Sequence, residues 1–309
     1  MDSPETTPGR GAAVRVAAPT ERRNPRTADL DTLPTVEILR LINAEDDRVP
    51  GAVATVLDAV AEAVEAAVVT LRAGGRVHYF GAGTSGRIAY TDAVELPPTY
   101  AVPVGWFCPH LAGGVEALGR TVEDAEDDAA GGAAEAMACV RAGDVVLGLA
   151  ASGRTPYVLG ALRAARAARA RTVLVTANPH APAAGEVDVF VGVDTGPEVV
   201  TGSTRMKAAT AQKLVLNAFS TAVMVRLGRV YSNLMVGVVA TNAKLRGRML
   251  TILEQATGAD EPACRQALAA AGGDLRLALV ALLSGAPLDA ARSALARSDH
   301  RVREALTLL

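Results

Sequence analysis

Twice in this chain a short apolar run opens onto a glycine- and serine-rich loop and then onto a helical pattern. "RVHYFGAGTSGR" (76–87) does so first, and "DVVLGLAASGRTP" (144–156) repeats it. An uninterrupted apolar run bounded by turn residues reads as a strand buried on both faces. "RTVLVTA" (171–177) and "VDVFVGV" (187–193) add two more, and "YAVPVGWF" (100–107) reads as another. Between them lie helical patterns, including a long one from Ala208 to Arg226. Strands that alternate with helices build a parallel sheet. The expected fold class is therefore α/β, a parallel sheet flanked by helices on both faces. From about residue 244 the strand signals stop, and short apolar periods broken by glycine and proline predict a small all-helical C-terminal domain.

Local signals sharpen the expected boundaries. Residues 35–47 and 51–73 each repeat apolar positions at three and four, and Gly74-Gly75 stops the second helix. The helix after "GAGTSGR" is expected to end at Glu95, because Pro97 disfavours helix at Leu96. Gly131-Gly132 is expected to break the helices of the following segment. The chain then divides into a disordered tail (1–19), an N-terminal helical segment (20–66), an α/β domain (67–230) and a helical C-terminal region (231–309).

Composition excludes several function classes. A formal net charge of −2, with basic and acidic residues intermixed, argues against nucleic acid as a partner. Cys108, Cys139 and Cys264 have neither a disulfide framework nor a zinc spacing, and the four histidines form no HExxH, so no metal is expected. No apolar run reaches the ~18 residues of a membrane span, and the first residues lack the apolar core of a signal peptide. No membrane partner and a cytoplasmic location are the expectations.

The loops carry the chemistry. Gly81, Gly83 and Gly86 satisfy GxGxxG. The dinucleotide reading also needs an acid about 20 residues on, at the end of the second strand, for the ribose hydroxyls. That strand ends "GWFCPH", with no acid. Both "GAGTSGR" and "ASGRTP" instead offer Ser-Gly-Arg at a helix start, and "TGSTRMK" (201–207) offers a third hydroxyl-rich loop before a helix. Helix N-termini hold phosphate through free N–H groups and the positive dipole end. GxxxxGK[ST] is absent, so the loops suit a sugar phosphate rather than a nucleoside triphosphate. The candidate contacts are Gly83, Thr84, Ser85, Gly86, Ser152, Gly153, Thr155 and Ser203. Lys207 is either a phosphate partner or a helix-start residue, Asn242 a ligand contact or a cap, and His110 a catalytic or a loop residue.

"GAGTSGR", "ELPPTY", "EDAEDD", "ASGRTPY", "EVVTGSTRMKAATAQKLVLN" and "NLMVGVVATNAKL" together resemble the N-acetylmuramic acid 6-phosphate etherases of the sugar isomerase (SIS) superfamily, from about Thr20 to Gly258. Glucokinase regulatory proteins are more distant relatives. The resemblance implies that residues 67–230 are a SIS sugar-phosphate-binding domain. It implies a lyase that releases D-lactate from its sugar phosphate without a cofactor, and a homodimer. It also places the family's two functional glutamates on Glu95, as proton donor to lactate, and Glu126, as second acid/base. This chain departs from the usual motifs with Leu96 in "AVELPP", Ala209, Ser232 and Gly237. A non-catalytic sugar-phosphate regulator and an aldose–ketose isomerase are the alternatives on the same fold. A helix from Ser85 to Glu95 would be ~15 Å long, too long to join phosphate and Glu95 in one site. Either that helix breaks early or Glu95 serves a neighbouring subunit.

Overall fold

The computed structural model describes residues 18–238 and 243–309. Most of the expected 1–19 tail, and Asn242, lie outside the described residues. Helices α1 (Thr35–Asp46), α2 (Val49–Ala54) and α3 (Leu57–Arg72) lead into strand β1 (Val77–Gly81). Then come α4 (Gly83–Tyr100), β2 (Phe107–Leu111), α5 (Ala129–Cys139), β3 (Val145–Leu149) and α6 (Pro156–Ala167). Strand β4 (Arg171–Thr176), β5 (Val189–Gly192) and the long α7 (Lys207–Arg226) complete the layered part. A two-residue-per-strand hairpin, β6 (Val230–Tyr231) with β7 (Leu234–Met235), precedes α8 (Ala243–Thr257), α9 (Glu261–Ala270), α10 (Leu275–Ser284), α11 (Leu288–Arg297) and α12 (Val302–Leu306).

The five main strands are all parallel, in the order β2-β1-β3-β4-β5. Every residue of β1 and β3 is buried, as a strand covered on both faces requires. One face carries Val77, Tyr79, Val145, Leu147, Val173 and Val175 against α3, α4 and α7. The other carries Phe80, Val146 and Leu174 beneath α6, with Ala136 of α5 in the same core. A third core joins α8–α12 with the hairpin. Helix α3 shows how sequence dictates the layer: Val60, Ala63, Val64, Ala67, Val68 and Leu71 recur at helical spacing and are its buried stripe. Among the described residues no single helix is long and apolar enough to cross a membrane.

Five local expectations are corrected. The helix expected over 51–73 is two helices, turning at Thr55-Val56. Two β-branched residues weaken helix there, and the Thr55 hydroxyl donates to the Ala52 carbonyl at 2.8 Å. "GAGTSGR" is not all loop, since α4 starts at Gly83; nor does α4 end at Glu95, for it runs through Pro97 and Pro98 to Tyr100. Proline's φ is helical, so the last turn can form at the cost of the bonds to the Ala93 and Val94 carbonyls and of crowding between the proline rings and those carbonyls. Buried Leu96 anchors the turn, and the Ala101 N–H closes it on the Pro97 carbonyl at 3.0 Å. The strand expected over 100–107 starts only at Phe107, because α4 and the Ala101 reversal (φ 50°) occupy the segment before it.

Gly131-Gly132 does not break α5 either. A Cβ on Gly132 would lie 2.0 Å from the Tyr157 carbonyl oxygen, and one on Gly160 would lie 2.1 Å from that of Ala129. These glycines let α5 and α6 touch backbone to backbone.

Candidate functional site

In an open parallel sheet of order 2-1-3-4-5, ligands settle at the carboxyl ends of the strands, where the order reverses between β1 and β3. The two Ser-Gly-Arg loops follow those two strands. Gly81 and Gly86 are seated against each other: a Cβ on Gly86 would lie 2.7 Å from the Gly81 oxygen and 2.2 Å from Leu111 Cδ1. Their lack of side chains sets the start of α4 directly on the end of β1. Gly83 has φ 52°, in the left-handed region. No side chain caps this helix, so the first N–H groups, at Gly83, Thr84 and Ser85, are left for a ligand by helix geometry.

Gly83, the first residue of α4, lines a cavity of about 190 Å³ together with Ala82, Arg87, Glu123 and Glu126, among others of residues 112–126. Arg87 fixes the far wall. Its Nε donates to the Ala117 carbonyl at 2.9 Å, and its terminal nitrogen donates to that of Arg120 at 3.2 Å. Glu126 lies in the single helical turn Ala125–Asp127, which packs on α6. That contact brings it to the helix whose N-cap is Thr155.

The second loop is held from behind. Asn178 Nδ2 donates to the Ser152 carbonyl and Thr176 Oγ1 to that of Ala151, each at 3.1 Å. Gly153 has φ 70° and faces Ala181 so closely that a Cβ would lie 2.4 Å from it. The Thr155 hydroxyl makes no capping hydrogen bond.

The third loop differs from its expectation. Buried Glu198 accepts from the N–H groups of Lys207 and Ala208, both at 3.0 Å. Its carboxylate occupies the start of α7, the place an anion would take. Burial raises the Glu198 carboxyl above its ordinary range, more than those two hydrogen bonds lower it. Lys207 is the first residue of α7, and its buried Nζ is 2.7 Å from Glu45 Oε2 rather than facing a ligand. Ser203 sits in the turn before it, partly exposed.

The two glutamates are not brought together within one chain. Glu126 lines the cavity, whereas exposed Glu95 lies on α4 roughly 18 Å from Gly83 at ~1.5 Å per residue. Exposed Val94 (47%) stands beside it. Sequence reading also missed Asp92, one helical turn earlier. It accepts from Tyr79 Oη at 3.0 Å and Ser220 Oγ at 2.9 Å. Burial, which outweighs both bonds, pushes its carboxyl up to about 6.

The model of the glucokinase regulatory protein N-terminal SIS domain matches residues 59–166, and that of the SIS domain matches 115–222. An N-acetylmuramic acid 6-phosphate etherase of Thermobifida fusca is 64% identical over 269 residues, 87% of this chain and 88% of that protein. The chain belongs to the N-acetylmuramic acid 6-phosphate etherase family. The etherase of Pectobacterium atrosepticum is 52% identical over 93% of this chain and 95% of its own. A solved phosphoheptose isomerase from Francisella tularensis overlays with a TM-score of 0.46 at 15% identity, covering 62% of this chain and 100% of that one.

Two departures from the etherase motifs have a structural setting. Ser232 adopts φ 52° in the β6–β7 turn, a conformation that favours glycine. Gly237 sits against α4, where a Cβ would lie 2.5 Å from the Tyr100 carbonyl oxygen. Ala209 is buried in α7, and nothing in the structure explains the choice of alanine there.

Proposed function

We propose that this chain is a lyase that cleaves the D-lactyl ether of N-acetylmuramic acid 6-phosphate, giving N-acetylglucosamine 6-phosphate and D-lactate. The observation that carries the reading is the cavity in which Glu126 and the uncapped N-terminus of α4 line one space. Phosphate is held by the N–H groups and hydroxyls at Gly83, Thr84 and Ser85, with Gly86 letting α4 close on β1, and Ser152, Gly153, Thr155 and Ser203 complete the sugar-phosphate cradle. Residues 67–230 are the sugar-phosphate-binding domain in this reading.

The reaction asks for two positioned carboxyls. In the ring-opened sugar the C1 aldehyde acidifies the C2 proton. One carboxylate removes that proton, and one carboxylic acid protonates the departing lactate oxygen at C3. Water then adds at C3 of the resulting double bond. Each positioned acid or base contributes typically ~10²–10⁴-fold. Glu126 acts as the second acid/base and Glu95 as the proton donor to lactate.

The length of α4 bears on where Glu95 acts. The helix does not break before Glu95, so the remaining route is the site of a second copy in a homodimer. Exposed Val94 beside Glu95 supports a surface that is covered by a partner.

Incubation of purified chain with N-acetylmuramic acid 6-phosphate, followed by a D-lactate assay, tests the reading. Release of D-lactate supports it. Sugar-phosphate binding without lactate would leave the regulator, and a new ketose without lactate would leave the isomerase.

A further inference from the structure

On the α5/α6 face of the sheet, three donor side chains that lie far apart in sequence converge. His78 is fully buried in β1, His110 lies on the edge strand β2, and half-buried Cys139 ends α5. His78 Nδ1 is 3.0 Å from His110 Nε2. Cys139 Sγ is 3.7 Å from His110 Nε2 and 3.9 Å from His78 Nδ1. Tetrahedral zinc has Zn–N of about 2.0–2.1 Å and Zn–S of about 2.3 Å, which sets donor–donor edges of roughly 3.3 Å for N···N and 3.6 Å for N···S. The three atoms are within ~0.4 Å of those edges.

The far side of each imidazole faces a carboxylate. His78 Nε2 lies 3.4 Å from Asp144 Oδ2, and His110 Nδ1 lies 2.9 Å from Glu135 Oε1. Asp144 is fixed by the N–H groups of Arg76 and Arg141, both at 2.8 Å, and Glu135 by the Tyr157 hydroxyl. Carboxylates in this position orient metal-binding histidines and fix their tautomer.

Counting protons shows what the cluster lacks. Two outward N–H groups are needed, one for each carboxylate, and the 3.0 Å contact between the rings needs a third. Two neutral imidazoles carry only two protons. One contact must go without, and His78 Nε2 is indeed a buried nitrogen without a well-formed hydrogen bond. A third proton would make one ring cationic. His78 is fully buried, and the second ring lies 3.0 Å away, so a charged imidazole there would be both desolvated and set against its neighbour. A divalent cation between the rings resolves the conflict. Both histidines then stay neutral, both donate outward to carboxylates, and both turn a lone pair inward.

We propose that His78, His110 and Cys139 form a binding site for a zinc-type divalent transition metal ion, with water in the fourth position. Two imidazoles and a thiolate are a donor set suited to such an ion. Partial exposure at His110 and Glu135 gives the ion a way in. The ion would tie β1, β2 and α5 together.

Metal-stripped full-length chain, titrated with Zn²⁺ against a chromogenic chelator, tests this with no reference to lactate release. One ion per chain is expected. Co²⁺ in its place should give the visible bands of a tetrahedral site and a thiolate-to-cobalt charge-transfer band. Cys139→Ser, a near-isosteric change, should abolish that band and weaken Zn²⁺ binding at least tenfold. Cys264→Ser, in the C-terminal core, should leave both unchanged. In the unsubstituted chain, Zn²⁺ should slow thiol alkylation at Cys139, mapped by peptide mass, whatever the folding of the variant. Absence of stoichiometric binding, a charge-transfer band that persists in Cys139→Ser, or alkylation of Cys139 indifferent to Zn²⁺ overturns the proposal.

Discussion

Replacing Glu45 with glutamine should remove a large part of the stability of the layered domain. Arg26 donates to both oxygens of the Glu45 carboxylate, and Lys207 Nζ donates to Oε2 at 2.7 Å. Lys207 has a fully buried side chain, and that of Glu45 is 4% exposed. The hydrogen bond from Arg26, aided by Lys207, outweighs burial and holds the Glu45 carboxyl at about 2 rather than 4.5. At ~1.4 kcal/mol per pH unit that depression corresponds to about 3 kcal/mol of native-state stability. Removing one partner of a buried pair costs ~3–5 kcal/mol by a separate route, because the other charge is stranded. Urea unfolding at pH 7 should therefore show Glu45→Gln about 3 kcal/mol less stable. Adding Lys207→Met removes the stranded ammonium and should restore ~1–2 kcal/mol. The folded pKa is depressed, so the contribution is complete above pH ~4.5 and is lost as pH falls through about 2. The gap between parent and variant should close on acidification. A Glu45→Gln loss under ~1 kcal/mol, or a double variant as unstable as the single one, would refute the reasoning.

Further outcomes follow from other contacts. Glu126→Gln should lower kcat on the order of 10²-fold with little change in phosphate binding, measured by steady-state lactate release; an unchanged kcat returns Glu126 to a surface acid. Mixing Glu95→Gln chains with Ser85→Ala/Ser152→Ala chains should restore part of the activity if the site is shared; no recovery after confirmed subunit exchange places every group in one chain. Gly132→Ala puts a methyl 2.0 Å from the Tyr157 oxygen and should lower the urea midpoint, by at least ~1–3 kcal/mol in stability. The Asp92 carboxyl is raised from 3.8 to about 6, so the folded state holds a proton that the unfolded chain releases. Stability should fall as pH rises between about 4 and 6, by at most ~3 kcal/mol before solvent screening. Asp92→Asn should remove that fall, and identical pH profiles for parent and variant would exclude it.

What the sequence disclosed and what it hid follow from the range of each signal. Strands β1, β3 and β4 were legible because burial on both faces demands continuous apolar runs, and the edge strand β5 because Val189 and Val191 alternate inward. Gly131-Gly132 misled because a glycine at a helix crossing and a glycine that ends a helix look alike in sequence; only the Tyr157 carbonyl opposite tells them apart. Pro97 misled for a related reason, since the cost of a proline depends on whether Leu96 is anchored in a core. Of the candidate site, the Ser85 and Ser152 loops were visible as motifs. Glu198 at the start of α7 was not, because its role depends on an eight-residue loop folding back. His78, His110 and Cys139 carry no motif at all: their separations of 32 and 29 residues become contacts only through the β1–β2 register and the path of α5.

The most direct test of the central claim, elimination across C2–C3 followed by hydration, is turnover of N-acetylmuramic acid 6-phosphate in H₂¹⁸O with mass analysis of both products. The account predicts unlabelled D-lactate and N-acetylglucosamine 6-phosphate that carries the label at C3. Label in the lactate would mean that the bond breaks on the lactyl side, and would contradict the chemistry assigned to Glu95 and Glu126.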